Sequence, residues 1–444
     1  MSRSDSSRRP RWAAVGCSAL AVALLAAACG PATLSATPSA APSTVLAPTA
    51  APSASPSGAA VAPSGSANAG ADAIYDAVES QVVAIRGLQP RKKVERQFID
   101  ETQLRAILTQ QFDQDAPPAY VAATERLYKA LGLIPAGASL RTLSLDLLSG
   151  GVAGFYRNDV GKLFVVSKSG QPGPSERFYF AHEYDHALQD QNSTIFKDFD
   201  KVLDQSDQLL ARQAIYEGDA TLLMSKWAAT NLSQSDLLEL LAASTDPAAQ
   251  AVMARTPAIL RDTLTFPYTT GFGYVSGVQA AGGWPAVNAY FTKMPASTEQ
   301  IIHPEKYTSG EPPIPVTLPA DLATRLGAGW SVSLEDTFGE FQLGIWLRAV
   351  GVADGVATTA AAGWGGDRLA VMAGPHGTWA VAMHTDWDTA GDAAQFEKAA
   401  TTALKKAGGA SQVLPGAGGK TRWVVIAGDA ATLARVANVL GLAG

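Results

Sequence analysis

The stretch FAHEYDHALQDQN, residues 180–192, decides how the rest of the chain is read. His182 and His186 stand four residues apart, and Glu183 follows the first of them. On a helix, positions i and i+4 lie on one face, a turn apart. Both rings can therefore be aimed at one tetrahedral ion, and Glu183 can reach a water on it. H-E-x-x-H on a helix is the pattern that carries this zinc chemistry. The chain has only five histidines, and two of them take this spacing. The spacing predicts a helix from about Ser175 to Gln191, started by Gly173-Pro174-Ser175-Glu176 and buried through Phe178, Phe180, Ala181 and Leu188. Asp185 lies off the histidine face and is expected to point to solvent; pointing inward, it would weaken a peptidase reading. Asp190, one turn after His186, either accepts a proton from a histidine ring as an outer carboxylate or is a solvated residue near the helix end.

A catalytic zinc needs three protein ligands and one open position. The best third ligand lies in ARQAIYEGDATLLM, residues 211–224, where Glu217 and Asp219 interrupt an apolar helical stretch. Carboxylates facing apolar surroundings need a partner, and a metal is one. The alternative is pairing with Arg212 or Lys226 on a solvated face. Gly218 in mid-helix speaks for the buried reading, because Gly costs about 1 kcal/mol there and suits close helix packing.

Outward from these helices the composition is uneven. The 444 residues are 47% hydrophobic and 17% charged, with a formal charge of −6, so a sizeable core is possible and nucleic acid is not an expected partner. Arg3, Arg8, Arg9 and Arg11 precede the apolar run Ala13 to Ala28, and Cys29-Gly30 follows. The run is short for a membrane span and has the layout of an export signal. LLAAACG resembles a bacterial lipoprotein signal, in which Cys29 is lipidated; the alternative is a plain secretory signal. Either way the body is expected outside the cytoplasm, anchored to the membrane by its lipid or secreted. The second cysteine, Cys17, lies inside the signal, so disulfides, thiol catalysis and cysteine metal sites are excluded from the body. Residues 29–71 are almost entirely Ala, Pro, Ser, Thr and Gly and are expected to be a disordered tether.

Helices are predicted over 72–87, 102–112 (capped by Asp100 or Thr102), 118–134, 204–231, 234–259 and 272–293, the last with a break at Gly282-Gly283. GFYRNDVGKLFVVS, residues 154–167, places two aromatic and β-branched runs around a polar turn and predicts a β-hairpin. From Asp367 the order strand, strand, helix, strand, strand, helix predicts a small α+β unit. The expected organisation is a signal at 1–28, the tether at 29–71, a mainly helical α+β body at 72–330 and a C-terminal α+β unit at 331–444. His376 and His384 in that unit lack a third ligand nearby. No G-x-S-x-G elbow and no phosphate loop is present.

H-E-x-x-H on one helix and a Glu on the next resemble the gluzincin branch of the zincin metallopeptidases. More narrowly, HEYDHALQDQ, YEGDA and STEQIIHPEKY (residues 297–307) are similar to a group of largely uncharacterised exported prokaryotic metallopeptidase-like proteins. FYRNDVGKLFVV, GFGYV, GGW and WGGDR fit the same pattern, over roughly residues 75–395. The resemblance implies a zincin-like fold, His182, His186 and Glu217 as ligands, and Glu183 as general base. It also implies that the 154–167 hairpin gives an edge strand beside the zinc helix, where an extended peptide can add. Two features depart from it: 31 residues separate His186 from Glu217, longer than in thermolysin-like members, and Asp185 is charged where the strict signature is not.

The chemistry expected is hydrolysis of a peptide or protein substrate. Zinc makes a bound water acidic near neutrality, and Glu183 moves its proton to the leaving amine. An oxyanion donor is also needed. His303 and Tyr307 in IIHPEKY are candidates, with a structural turn histidine as the alternative; Tyr268 and Tyr274 are weaker ones that equally suit core packing. The rival reading is a cell-surface lipoprotein that binds metal or peptide on the same scaffold without turnover. A further rival gives recognition to the C-terminal unit.

Overall fold

A computed structural model describes residues 65–148, 154–166, 171–197, 202 and 204–442. The lipidation candidate Cys29 and the signal lie outside the described residues. Among the described residues, no helix is long and apolar enough to cross a membrane.

The first elements of the described residues are α1 (Gly65–Arg86), strand β1 (Glu95–Ile99) and helices α2 (Glu101–Asp115), α3 (Pro118–Ala130) and α4 (Leu140–Leu148). Helix α1 begins inside the stretch read as tether, so the folded body starts earlier than Asp72. Its later turns are held by burial, with Tyr75, Val78 and Val82 in the core. Asp100 caps α2, and its main-chain N–H donates in return to Gln103 Oε1. The hairpin follows as β2 (Gly154–Arg157) and β3 (Lys162–Val166), paired antiparallel. Strand β1, which the sequence reading did not find, adds parallel to β3 and gives the order β1-β3-β2.

The zinc-motif helix is α5 (Pro174–Asn192), and α6 (Ser206–Asn231) carries Glu217. The helix expected over 234–259 is two, α7 (Gln234–Ser244) and α8 (Pro247–Arg255). Asp246 caps α8, and Pro247 at its first position ends continuity. Helices α9 (Ala258–Phe266) and α10 (Phe272–Tyr290) flank a π-helical turn, Pro267–Gly271. The expected break in α10 falls at Gly283, with φ 67°. Two short helices, α11 (Thr298–Ile302) and α12 (Pro304–Ser309), hold the HPEKY stretch, and α13 (Leu322–Leu326) follows.

The C-terminal part holds β4 (Ser331–Asp336), α14 (Gly339–Ala349), α15 (Asp354–Ala361), β5 (Trp364–Ala373), β6 (Trp379–Trp387), α16 (Ala390–Ala403), β7 (Ala410–Pro415), β8 (Thr421–Ala427) and α17 (Ala430–Val439). Its sheet is five-stranded and antiparallel, in the order β4-β5-β6-β8-β7. Strand β4 precedes the expected ββαββα run and was not foreseen. Side chains alternate between the two faces, as a strand period of two requires. Leu369, Val371, Met383 and Val424 join one core, while Met372, Ala382, Trp423 and Val425 join another with Val436 of α17.

The first of those cores is shared with the N-terminal helices. Leu104, Leu127 and Leu131 pack with Trp346, Trp364, Trp387 and Phe396, and Trp346 Nε1 donates to the Leu131 carbonyl at 3.1 Å. The C-terminal unit therefore completes the core of the body. It also fixes the start of α6: the Ser206 main-chain N–H donates to Asp336 Oδ1 at 2.7 Å, and Asp207 accepts from the Thr298 main chain and hydroxyl. The described residues form a mixed α+β fold with two sheets.

Candidate metal centre

Helices α5 and α6 pack directly on each other with the hairpin beside α5. This brings together three ligand atoms from distant sequence. His182 Nε2 and His186 Nε2 are 3.0 Å apart, and each is 3.1 Å from Glu217 Oε2. All three side chains are buried. Among the described residues they form the group that could hold a metal ion. Ligands about 2.0–2.1 Å from a tetrahedral ion stand about 3.3 Å from one another, close to the spacing observed. Two nitrogens and one carboxylate oxygen are also a zinc donor set. Glu217 Oε1 is buried without a hydrogen-bond partner, which costs free energy unless a cation offsets it.

Gly218 explains how Glu217 gets there. A Cβ on it would lie 2.5 Å from the Gly271 carbonyl oxygen of the π turn. The missing side chain lets α6 meet that turn, turning Glu217 to the histidines and Asp219 to the opposite flank.

The electrostatics follow from burial and proximity. Burial lowers the affinity of His182 for a proton. Burial also works against a charged His186, but Glu217 beside it prevails and raises it to about 10. Burial raises Glu217 in turn, yet His186 and His182 hold it down at about 2. The bare group thus keeps one proton on His186 beside an ionised Glu217. Burial pushes Glu183 up to about 8, only partly offset by His186. Its Oε2 accepts from the Tyr156 N–H at 2.8 Å, so the outer edge of β2 faces the proposed base.

Other sequence expectations need correction. Asp190 does not meet a histidine: it accepts from the Tyr156 hydroxyl at 2.7 Å, pinning β2 to α5. The residue that meets His186 Nδ1 is Gln189, through Oε1 at 2.9 Å. Asp219 reaches the histidine only through Gln189, and its carboxylate is held by Arg86 Nε at 3.0 Å and Nη2 at 2.9 Å. Asp185 is buried, not solvated, with Oδ1 3.7 Å from Arg86 Nε. It faces inward on the flank away from the ligand atoms, the outcome that counts against the peptidase reading, and burial and Asp219 raise its carboxyl to about 8, only partly offset by Arg86.

His303 Nε2 lies 3.0 Å from Glu340 Oε1 on α14, and the Tyr307 hydroxyl donates to the Lys293 carbonyl at 2.8 Å. Lys306 bridges Glu299 at 2.7 Å and Asp388 at 2.6 Å. The HPEKY stretch thus joins the helical body to the C-terminal unit, and neither oxyanion candidate is directed at the three ligand atoms. Tyr274 bonds Tyr290 at 3.0 Å. Tyr268, by contrast, lies buried with its ring 6.1 Å from that of His182. His384 stacks flat on Trp423 at 4.1 Å, and His376 sits in a left-handed turn; neither joins a metal group among the described residues.

Residues 326–439 match the model of a domain of unknown function, DUF8575. The match spans the five-stranded sheet and lies outside the three ligands. No curated protein and no solved structure matches the chain.

Proposed function

We propose that this chain is a zinc-dependent metallopeptidase of zincin type, exported and held at a membrane by lipid on Cys29. The observation that carries the reading is the convergence of His182, His186 and Glu217 with Glu183 beside them. A zinc ion, when bound, supplies Lewis-acid polarisation of a carbonyl and a water acidic near neutrality. His182, His186 and Glu217 would hold it, leaving one position open. Glu183, on the same helix and against the edge of β2, accepts the water proton and delivers it to the leaving nitrogen. Its contact with the Tyr156 N–H orients the carboxylate along the strand where an extended peptide would add. A pure binding site has no use for a buried carboxylate there. Tyr268 replaces His303 and Tyr307 as the hydroxyl to test for oxyanion stabilisation.

The test is cleavage of a broad peptide library by zinc-loaded wild type and Glu183→Gln. Cleavage by wild type, with loss of at least about 100-fold in the variant at unchanged zinc content, supports the reading. Stoichiometric zinc without cleavage of any peptide refutes the enzyme and leaves the metal-binding lipoprotein.

A further inference from the structure

Behind His186, away from Glu217, four buried polar side chains come from three helices. Gln189 lies at their centre. Its Nε2 donates to Asp219 Oδ2 at 2.9 Å and the Tyr216 carbonyl at 3.0 Å, and lies 3.3 Å from Asp185 Oδ2. Its Oε1 faces His186 Nδ1 at 2.9 Å. The amide has one workable orientation. Reversed, it would point its carbonyl at two carboxylates and a main-chain carbonyl, and its NH2 at the imidazole. Asp219 and the Tyr216 carbonyl, both acceptors on one side, therefore force the acceptor end of Gln189 towards the ring. An acceptor there requires a proton on Nδ1, so Nε2, the atom that faces Glu217 and His182, is the nitrogen left for a metal.

Asp219, the nearer carboxylate, is itself held. Arg86, the last residue of α1, is fully buried and grips Asp219 with two nitrogens. Its Nη2 also donates to Asn288 at 2.7 Å, and its guanidinium lies 4.5 Å over the Trp284 ring. A bidentate guanidinium fixes a carboxylate in direction as well as position.

We infer that Arg86, Asp185 and Asp219 form a buried clamp that orients the Gln189 amide, and that Gln189 thereby positions His186 to present Nε2 to the metal. This rests on the zinc reading of the centre. Gln189 is a positioning residue here, acting through His186. Each charged residue of HEYDHALQ and EGDA then has a task, and α1, the helix that begins within the Ala/Pro/Ser-rich segment, becomes part of the metal centre.

The experiment compares zinc affinity, by chelator competition, in wild type, Gln189→Met and Gln189→Glu, with 15N spectra of the His186 ring in the zinc-loaded protein. Loss of a partner to a liganding histidine weakens binding about 10- to 100-fold. Gln189→Met should show that loss together with loss of the hydrogen-bonded Nδ1 proton signal. Gln189→Glu, which keeps an acceptor for Nδ1 but loses the donor to Asp219 and the Tyr216 carbonyl, should recover only part of the affinity. Wild-type zinc binding with Gln189→Met within twofold of it overturns the clamp and leaves the zinc reading standing. Absence of zinc binding in wild type overturns both. Should Gln189→Met not fold, the wild-type spectrum decides: a hydrogen-bonded proton on His186 Nδ1 upholds the inference, and a ring without one refutes it.

Discussion

Gly218→Ala puts the site's packing to a quantitative test. The new Cβ would lie 2.5 Å from the Gly271 carbonyl oxygen and 2.6 Å from its carbon, against an ordinary contact of 3.4 Å or more. Both obstacles are main chain, in a turn held between α9 and α10, so neither can rotate aside. Helix α6 must withdraw by nearly 1 Å. Overpacking of this kind costs about 1–3 kcal/mol, and Ala regains about 1 kcal/mol of helix propensity. The net is a loss of up to about 2 kcal/mol, or a melting temperature lower by up to about 4 °C. The effect on the ligands should be larger in proportion, because a site tolerates displacements of only about 0.5 Å. Zinc affinity should fall at least about tenfold, equivalent to about 1.4 kcal/mol. The control is Gly277→Ala on α10, where a Cβ meets nothing within 4 Å and where Ala should be neutral or stabilising. Thermal melts and chelator competition on the two variants give the answer. If Gly218→Ala matches Gly277→Ala in stability and wild type in zinc affinity, the packing argument for Glu217 is wrong.

Other outcomes are equally specific. Zinc must displace the proton that Glu217 keeps on His186, whose value is raised to about 10, and a water on the ion loses one of its own near neutrality, so binding at pH 9 should release about two protons per ion. Nearer pH 7 the proton that Glu183 holds below about 8 is released as well, while the water keeps part of its own, so the count should stay at two or slightly above. Affinity therefore falls as pH falls, about tenfold per pH unit for each proton displaced; calorimetry in buffers of different ionisation enthalpy counts the protons. His303→Ala and Tyr307→Phe should keep peptide cleavage within a few-fold of wild type, since both groups are bound elsewhere. Lys306→Ala leaves buried Glu299 without its cation, and urea unfolding should show a loss of about 2–3 kcal/mol.

The sequence carried the parts of this site that depend on local periodicity. His182 and His186 at i and i+4, the hairpin around Arg157 to Gly161, and a glycine allowing close approach beside Glu217 are all short-range patterns. What it could not carry was rotation and distance. Every residue from Phe180 to Gln189 is buried, so α5 has no apolar stripe to set its phase. One step along it, from Asp190 to Gln189, turns a side chain by about 100° and exchanges a Tyr156 partner for a His186 partner. Arg86 meets Asp219 across 133 residues, and a basic residue at a helix end is unremarkable on its own. Strands β1 and β4 stayed hidden because most of their side chains are exposed or half-exposed, leaving little alternation to read.

Zinc-edge X-ray absorption on the purified protein tests the central claim most directly. With His182, His186 and Glu217 as ligands, about one zinc per chain should sit in a shell of nitrogen and oxygen at about 2.0–2.1 Å, with scattering from two imidazoles and no sulfur. This signal should disappear in His182→Ala and Glu217→Ala. Zinc absent from wild type, or an identical spectrum in either variant, would contradict it.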